Sequence, residues 1–178
     1  QVLGHASIKD ERLTKARYRT GEFISPTLLY TKTRSLFRVN DLIYFSEIER
    51  KKIALSVASV VEIEPKHYFD WFCKRLGEGI GTLHAAGGCN DSLDWGNVTL
   101  AAEITDFEWI YIPGVPLPWG DGTEGLPERQ EKEIIYAYEI CIRLFFLLKP
   151  KEMPPTLIII RLLEEGYSKS NRNHKNLS

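Results

Sequence analysis

No stretch of about 18 apolar residues, the length a helix needs to cross a bilayer, occurs in this chain of 178 residues. The most apolar run, residues 140–148, is broken by Arg143 and followed by Lys149 and Pro150, so no membrane span is expected. Cysteine is scarce. Cys73, Cys89 and Cys141 lie far apart, are odd in number and form no C-x-x-C pair, which argues against a secreted disulfide framework and against a cysteine-based zinc site. A reducing intracellular compartment, cytoplasm or nucleus, is the expectation. The first twenty residues open on Gln1 rather than Met and contain no apolar h-region, so no secretory signal is expected there. There is no internal repeat and no low-complexity block. Gly77, Gly79 and Gly81 stand at alternate positions and do not form G-x-G-x-x-G. They read as the C-terminal end of a helix running into a loop, not as a phosphate cradle.

Net charge is also nearly absent, at −1, but it is unevenly spread. Residues 1–52 carry 11 Lys/Arg against 6 Asp/Glu, residues 53–133 carry 5 against 14, and residues 134–178 carry 7 against 4. A basic first third is compatible with a polyanionic partner, and equally with the two ends pairing against an acidic middle. Hydrophobic residues at 43% and charged residues at 26% place the chain among ordinary globular proteins. One domain over residues 1–165 with a polar tail over 166–178 is expected.

Along the chain, residues 8–19 have acids early and bases late, as a short exposed helix prefers. Residues 22–37 read as two short strands. Residues 38–66 then place two apolar runs on either side of a charged hexapeptide, residues 47–52, which suits a hairpin connection. Ile53, Leu55, Val57, Val61 and Ile63 suggest a half-buried strand. From Pro65 onward Phe69, Phe72, Cys73, Leu76 and Ile80 recur at three- and four-residue steps, predicting a helix. A long Gly/Asn/Asp/Ser-rich loop follows, and then strands whose register flips near Thr105 and Asp106. Residues 128–148 carry i,i+4 charge pairs and predict a second helix, and residues 156–163 read as a last central strand. The fold class these elements imply is α+β: a curled, mainly antiparallel, pseudo-barrel-like sheet with two main helices and a short N-terminal helix.

Three constellations could carry chemistry. Asp41 opening one strand, with Glu64 and Lys66 closing the next, has the residue types of a metal-dependent nuclease, two acids for a divalent ion and a lysine for the attacked phosphate. His84, Cys89, Asp91 and Asp94 share the glycine-rich loop and include metal-compatible types, but the single cysteine and the turn-forming acids fit an Asx-rich loop better. A Cys89–His84 nucleophilic pair lacks a third, orienting group. The aromatics Tyr68, Trp71, Trp95, Trp109, Tyr111 and Trp119 fall at a helix edge or in loops, where bases or cations could stack.

The order RVNDLIYF, a charged hairpin, KIALSVASVVEIEP, a helix, a glycine-bearing loop, VTLAAEITDFEWI and VPLP, over residues 36–117, resembles the PUA-like superfamily, particularly its ASCH-type members. Asn40-Asp41 stands where that pattern has Gly-Asp, and chromatin modules of the BAH type share the D-L-I-Y opening. The resemblance implies a pseudo-barrel that binds RNA or a modified base without catalysis. The expectation is therefore a non-enzymatic nucleic-acid-binding module. Lys15, Arg17, Arg19, Lys32, Arg34 and Arg38 would contact phosphates, and Trp71, Trp95 and Trp119 would stack on bases. No cofactor or metal is called for. A protein-interaction or assembly module and the Asp41/Glu64/Lys66 nuclease are the alternatives.

Overall fold

Ser46 and Glu49 form a reciprocal cap. The Ser46 hydroxyl accepts from the Glu49 backbone N–H, and the Glu49 carboxylate accepts from the Ser46 N–H at 2.8 Å. Two of the four orphan donors of a helix start are thereby satisfied, and the chain enters helix α1, Glu47–Val60. The computed structural model describes residues 2–7, 27–31, 33–105, 110–114 and 125–175, and these fall into two compact units.

The smaller unit comprises Gln1–Thr33 and Gly114–Glu124. Within it β1 (Val2–Ser7) pairs antiparallel with β2 (Thr27–Thr31), Ser7 opposite Thr27, with an irregularity between Val2 and Gly4.

The larger unit, Arg34–Pro113 and Gly125–Ser178, is helical. Besides α1 it holds α2 (Tyr68–Ala85), α3 (Leu126–Leu148) and α4 (Thr156–Lys175), with 3-10 turns at Asn40–Tyr44 and Pro65–His67. Two short strands, β3 (Cys89–Asn90) and β4 (Ile110–Tyr111), pair antiparallel with Asn90 opposite Ile110. The core is one cluster, with Phe72, Leu76 and Ile80 from α2, Ile140 and Leu144 from α3, and Ile159 from α4, all fully or almost fully buried. Each such side chain contributes on the order of 1.5–3 kcal/mol of transfer free energy.

The most extensive helix pairing is α2 against α4, and glycine makes it possible. A Cβ built on Gly77 would overlap the Leu163 carbonyl, one on Gly166 would overlap the Lys74 carbonyl, and one on Gly81 would come within 2.7 Å of the Tyr167 oxygen. The two backbones therefore touch directly. Gly79, on the same helix, has nothing within 4 Å of a built Cβ.

The expected curled sheet is not formed, and with it the pseudo-barrel implied by the resemblance. Residues 42–44, expected in a strand, form a 3-10 turn. The supposed hairpin at 47–52 is the first half of α1, and the supposed strand beyond it is the second half. Ala54, Val57 and Ala58 form the buried stripe of α1, with Ile53 and Val61 packed beside it. That is a three- and four-residue period, which alternation at 53, 55 and 57 masked. Residues 156–163 are the first two turns of α4, which runs on through Lys175 into the stretch expected as a polar tail. The glycines at 77, 79 and 81 lie inside α2 rather than ending it. Between 98 and 104 only two isolated bridges, Val98 to Ile104 and Thr99 to Arg38, remain of the expected strand. The helices expected over 65–80 and 128–148 appear as α2 and α3. The expected N-terminal helix over 8–19 lies outside the described residues.

Candidate functional site

After α2 the chain makes a tight, polar loop that several elements hold from different sides. Its start is fixed by Glu133, a carboxylate on the otherwise apolar face of α3 that also carries Ala137, Ile140, Cys141 and Leu144. Glu133 Oε2 accepts from the Asn90 backbone N–H at 3.1 Å and lies 2.7 Å from His84 Nε2. On the other side of the ring, His84 Nδ1 is 3.0 Å from the Tyr167 hydroxyl. The His84 and Glu133 side chains are 2% and 1% exposed. A chain of polar groups thus runs from α4 through α2 and α3 to the loop backbone. Burial without partners would be costly for each group, yet Glu133 Oε1 has no partner among the described residues.

Within the loop, the Asn90 side-chain oxygen accepts from the Ser92 N–H at 2.9 Å, an Asx turn. Asp94 Oδ1 accepts from the Gly96 N–H. Asn97 folds back, its Nδ2 donating to the Ser92 carbonyl at 2.8 Å. That bond sets the amide's orientation, and Asn97 Oδ1 accepts from no described residue. The Asn97 carbonyl in turn accepts from the Thr105 N–H at 2.9 Å and from its hydroxyl at 3.1 Å. Thr105 closes a small hairpin around Ala102, whose φ is +55°, and its next neighbour in sequence is Asp106. From outside, Arg129 pairs with Asp91 and lies over the Tyr111 ring at 4.3 Å. A recess of about 330 Å³ opens between the loop and α3, lined by Ser92, Asp94, Trp95, Tyr136, Glu139 and Arg143 among others.

Of the residues expected to bind nucleic acid, Arg34, Arg38, Trp71 and Trp95 lie among the described residues. Arg34 pairs with Glu103 at 3.2 Å, and its backbone N–H donates to the same carboxylate. Arg38 Nη1 donates to the Gly96 carbonyl at 3.0 Å and so braces the loop. Trp71 is half-buried against the core and stacked on Tyr68, whose hydroxyl donates to the Leu100 carbonyl. Trp95 also packs against the core, with the Arg143 guanidinium 4.7 Å from its ring centre. Lys15, Arg17, Arg19, Lys32 and Trp119 lie outside the described residues, as does Trp109.

Asp41, Glu64 and Lys66 are held apart. Asp41 sits in the turn before α1 and accepts from the Arg38 N–H at 2.7 Å. Glu64 and Lys66 lie beyond the other end of α1 and pair with each other at 2.9 Å on the surface. Fourteen helical residues, about 21 Å of axis, stand between the two positions.

Of the loop quartet, His84 is committed to Glu133 and Tyr167, Asp91 to Arg129, and Asp94 to its own turn. Among the described residues no group of three His, Cys, Asp or Glu side chains is placed to hold a metal by itself. Cys89 is buried, and burial together with the nearby Glu133 charge pushes its thiol up to about 11 against the opposing pull of Arg129, the reverse of what a nucleophile needs. All three cysteines are free and buried. No described helix is long and apolar enough to cross a membrane. No known family, curated protein or solved structure matches this chain.

Proposed function

We propose that the helical unit is a binding module whose ligand is a divalent-metal nucleotide, held by the loop over residues 90–105 and by Asp106, which follows it in sequence. The observation that carries the reading is Asn97. Its amide is locked by the bond to the Ser92 carbonyl, its Oδ1 is left without a described partner, and its own carbonyl holds Thr105, so that Asp106 follows one residue later. One class of phosphoryl-transfer enzymes holds Mg²⁺ on a nucleotide with such a pair, an asparagine late in a loop and an aspartate past a short hairpin. Mg²⁺ in nucleotide sites takes only one or two protein oxygens and completes its shell with phosphates and water. The lack of a three-ligand cage among the described residues accords with that.

In that class an aspartate five residues before the asparagine accepts the proton of the attacking hydroxyl. Here the position is Ser92, which is no base at neutral pH, and the neighbouring Asp91 is occupied by Arg129. The sequence carries Asn97 and Asp106, the residue types of the metal-holding pair, and has serine rather than an acid at position 92, which favours binding over turnover. This carries forward the expectation of a non-enzymatic module and replaces a polymeric nucleic-acid ligand with a mononucleotide.

The test is titration calorimetry with ATP and with ADP, each with and without Mg²⁺, on the wild-type chain and on Asn97→Ala and Asp106→Ala. Magnesium-dependent binding that both substitutions reduce at least tenfold is the expected result. No binding at millimolar Mg²⁺–ATP, or binding indifferent to Asn97, would overturn the proposal. Saturable binding of an RNA or DNA oligonucleotide in its place would return the nucleic-acid reading.

A further inference from the structure

On the opposite side of the His84–Glu133 pair from the loop, α2, α3 and α4 leave a cleft of about 400 Å³. Its walls are aliphatic, with Ile80 and Ala137 at depth, Leu163 on the α4 side, and the half-exposed Ile134 and Ile160 at the mouth. Gly77 adds no side chain to the floor, and its contact with the Leu163 backbone leaves no room for one. The polar groups are Tyr138, Glu164, Tyr167 and Ser168.

Among the described residues Glu164 is the only charged side chain lining the cleft. The neighbouring acids are neutralised: Glu165 pairs with Lys74, and Glu78 with Arg75 and Lys169. Glu164 has no ion pair or hydrogen bond to any described residue. An apolar enclosure with few polar groups suits a small molecule, a lone carboxylate sets the sign of charge it accepts, and tyrosine rings add cation–π attraction for an ammonium group. We propose that this cleft binds a small organic amine, the ammonium group at Glu164 and an aliphatic body between Ile134, Ile160 and Ala137. Tyr167 lines the cleft and its hydroxyl reaches His84, so an occupant touches the outer end of the polar chain that fixes Asn90. The site stands on the geometry of the cleft and does not depend on what the loop binds.

The experiment compares hexylamine, hexanol and hexanoate by titration calorimetry, and follows the His84 imidazole resonances by NMR. Saturable hexylamine binding at least tenfold tighter than hexanoate is expected, with hexanol between them and a shift of the His84 signals on saturation. Glu164→Gln, an exposed position, should lower hexylamine to the affinity of hexanol. Ile134→Trp at the mouth should abolish binding of all three. Far-UV circular dichroism and the urea midpoint of each variant report whether it is folded, and Glu164→Gln alone suffices if the tryptophan variant is not. Absence of saturable hexylamine binding, or an affinity unmoved by Glu164→Gln in the folded protein, would overturn the proposal.

Discussion

Replacing Gly77 and Gly79 in turn with alanine applies the same chemical change twice, two residues apart on one helix, with opposite predicted signs. In a helix interior alanine is favoured over glycine by about 1 kcal/mol, because it has less backbone entropy to lose. At Gly79 nothing lies within 4 Å of the added methyl, so the full gain should appear. At Gly77 the methyl would overlap the Leu163 carbonyl. Backbone of a packed helix cannot step aside as a side-chain tip can, and overpacking of this kind costs about 1–3 kcal/mol. Taking the upper end and subtracting the helix gain leaves a net loss of about 2 kcal/mol. With a urea m-value of about 1.5 kcal/mol/M, the midpoint of Gly79→Ala should rise by about 0.7 M and that of Gly77→Ala should fall by about 1.3 M. Circular dichroism at 222 nm across a urea series reads both. If the two substitutions shift the midpoint in the same direction, the direct α2–α4 backbone contact is refuted.

Other expectations follow from the caps and buried groups. Ser46→Ala removes the side-chain half of the α1 cap and should cost about 1 kcal/mol, read as a lower urea midpoint. Glu133→Ala strips the buried partner of both His84 and the Asn90 N–H and should cost about 3–5 kcal/mol, seen in thermal melts together with broadened amide resonances for residues 90–97. Burial and the neighbouring Cys73 hold the Cys141 thiol well above its ordinary value, so a disulfide titrant at pH 8 should find no reactive cysteine in the native protein and three after denaturation. Glu165 is held low by its hydrogen bond to Lys74. Burial would raise Glu78, but Lys169 and Arg75 outweigh it and hold it low as well. A depressed carboxylate contributes stability that is present above its unfolded value, near 4.5, and lost as pH falls through the lower folded value. The acid limb of the stability profile should therefore be shallower in Lys169→Gln than in the wild type.

Helices α2 and α3 were legible because their apolar residues repeat at three and four positions over long spans. Helices α1 and α4 were hidden by composition. Ile53, Val57, Val60 and Val61, and the run Leu157, Ile158, Ile159, Ile160, are residue types that favour strands locally, but tertiary burial of one helical face overrode the preference. The decisive sign for α1 was present in the sequence: Ser46-x-x-Glu49 is a capping box, and a capping box starts a helix where a hairpin connection has no use for one. For α4 the sign lay in the spacing of Ile159, Leu162, Leu163, Gly166 and Ser170, which is helical from end to end and extends into the polar stretch. At the site, His84 and the loop were visible as a concentration of polar types, while Glu133 was not singled out. A lone acid in register with Ala137, Ile140, Cys141 and Leu144 is the signal that marks it, because burying a carboxylate on that face demands partners. One-dimensional clustering of basic residues carries no information about which charges are already neutralised. Arg34 finds Glu103 sixty-nine positions away.

The glycine seam also bears on the order of events at the ribosome. The surface of α2 that receives α4 is complete once Ala85 has been made, yet its counterpart begins only at Thr156. Throughout the intervening synthesis the strip of α2 backbone around Gly77 and Gly81 is without the α4 backbone that packs on it in the folded protein. Domains complete folding as units once their last segment is available. For this unit that segment is α4, so a ribosome stalled after α3 would hold a chain with three of its helices made and its widest internal contact still open.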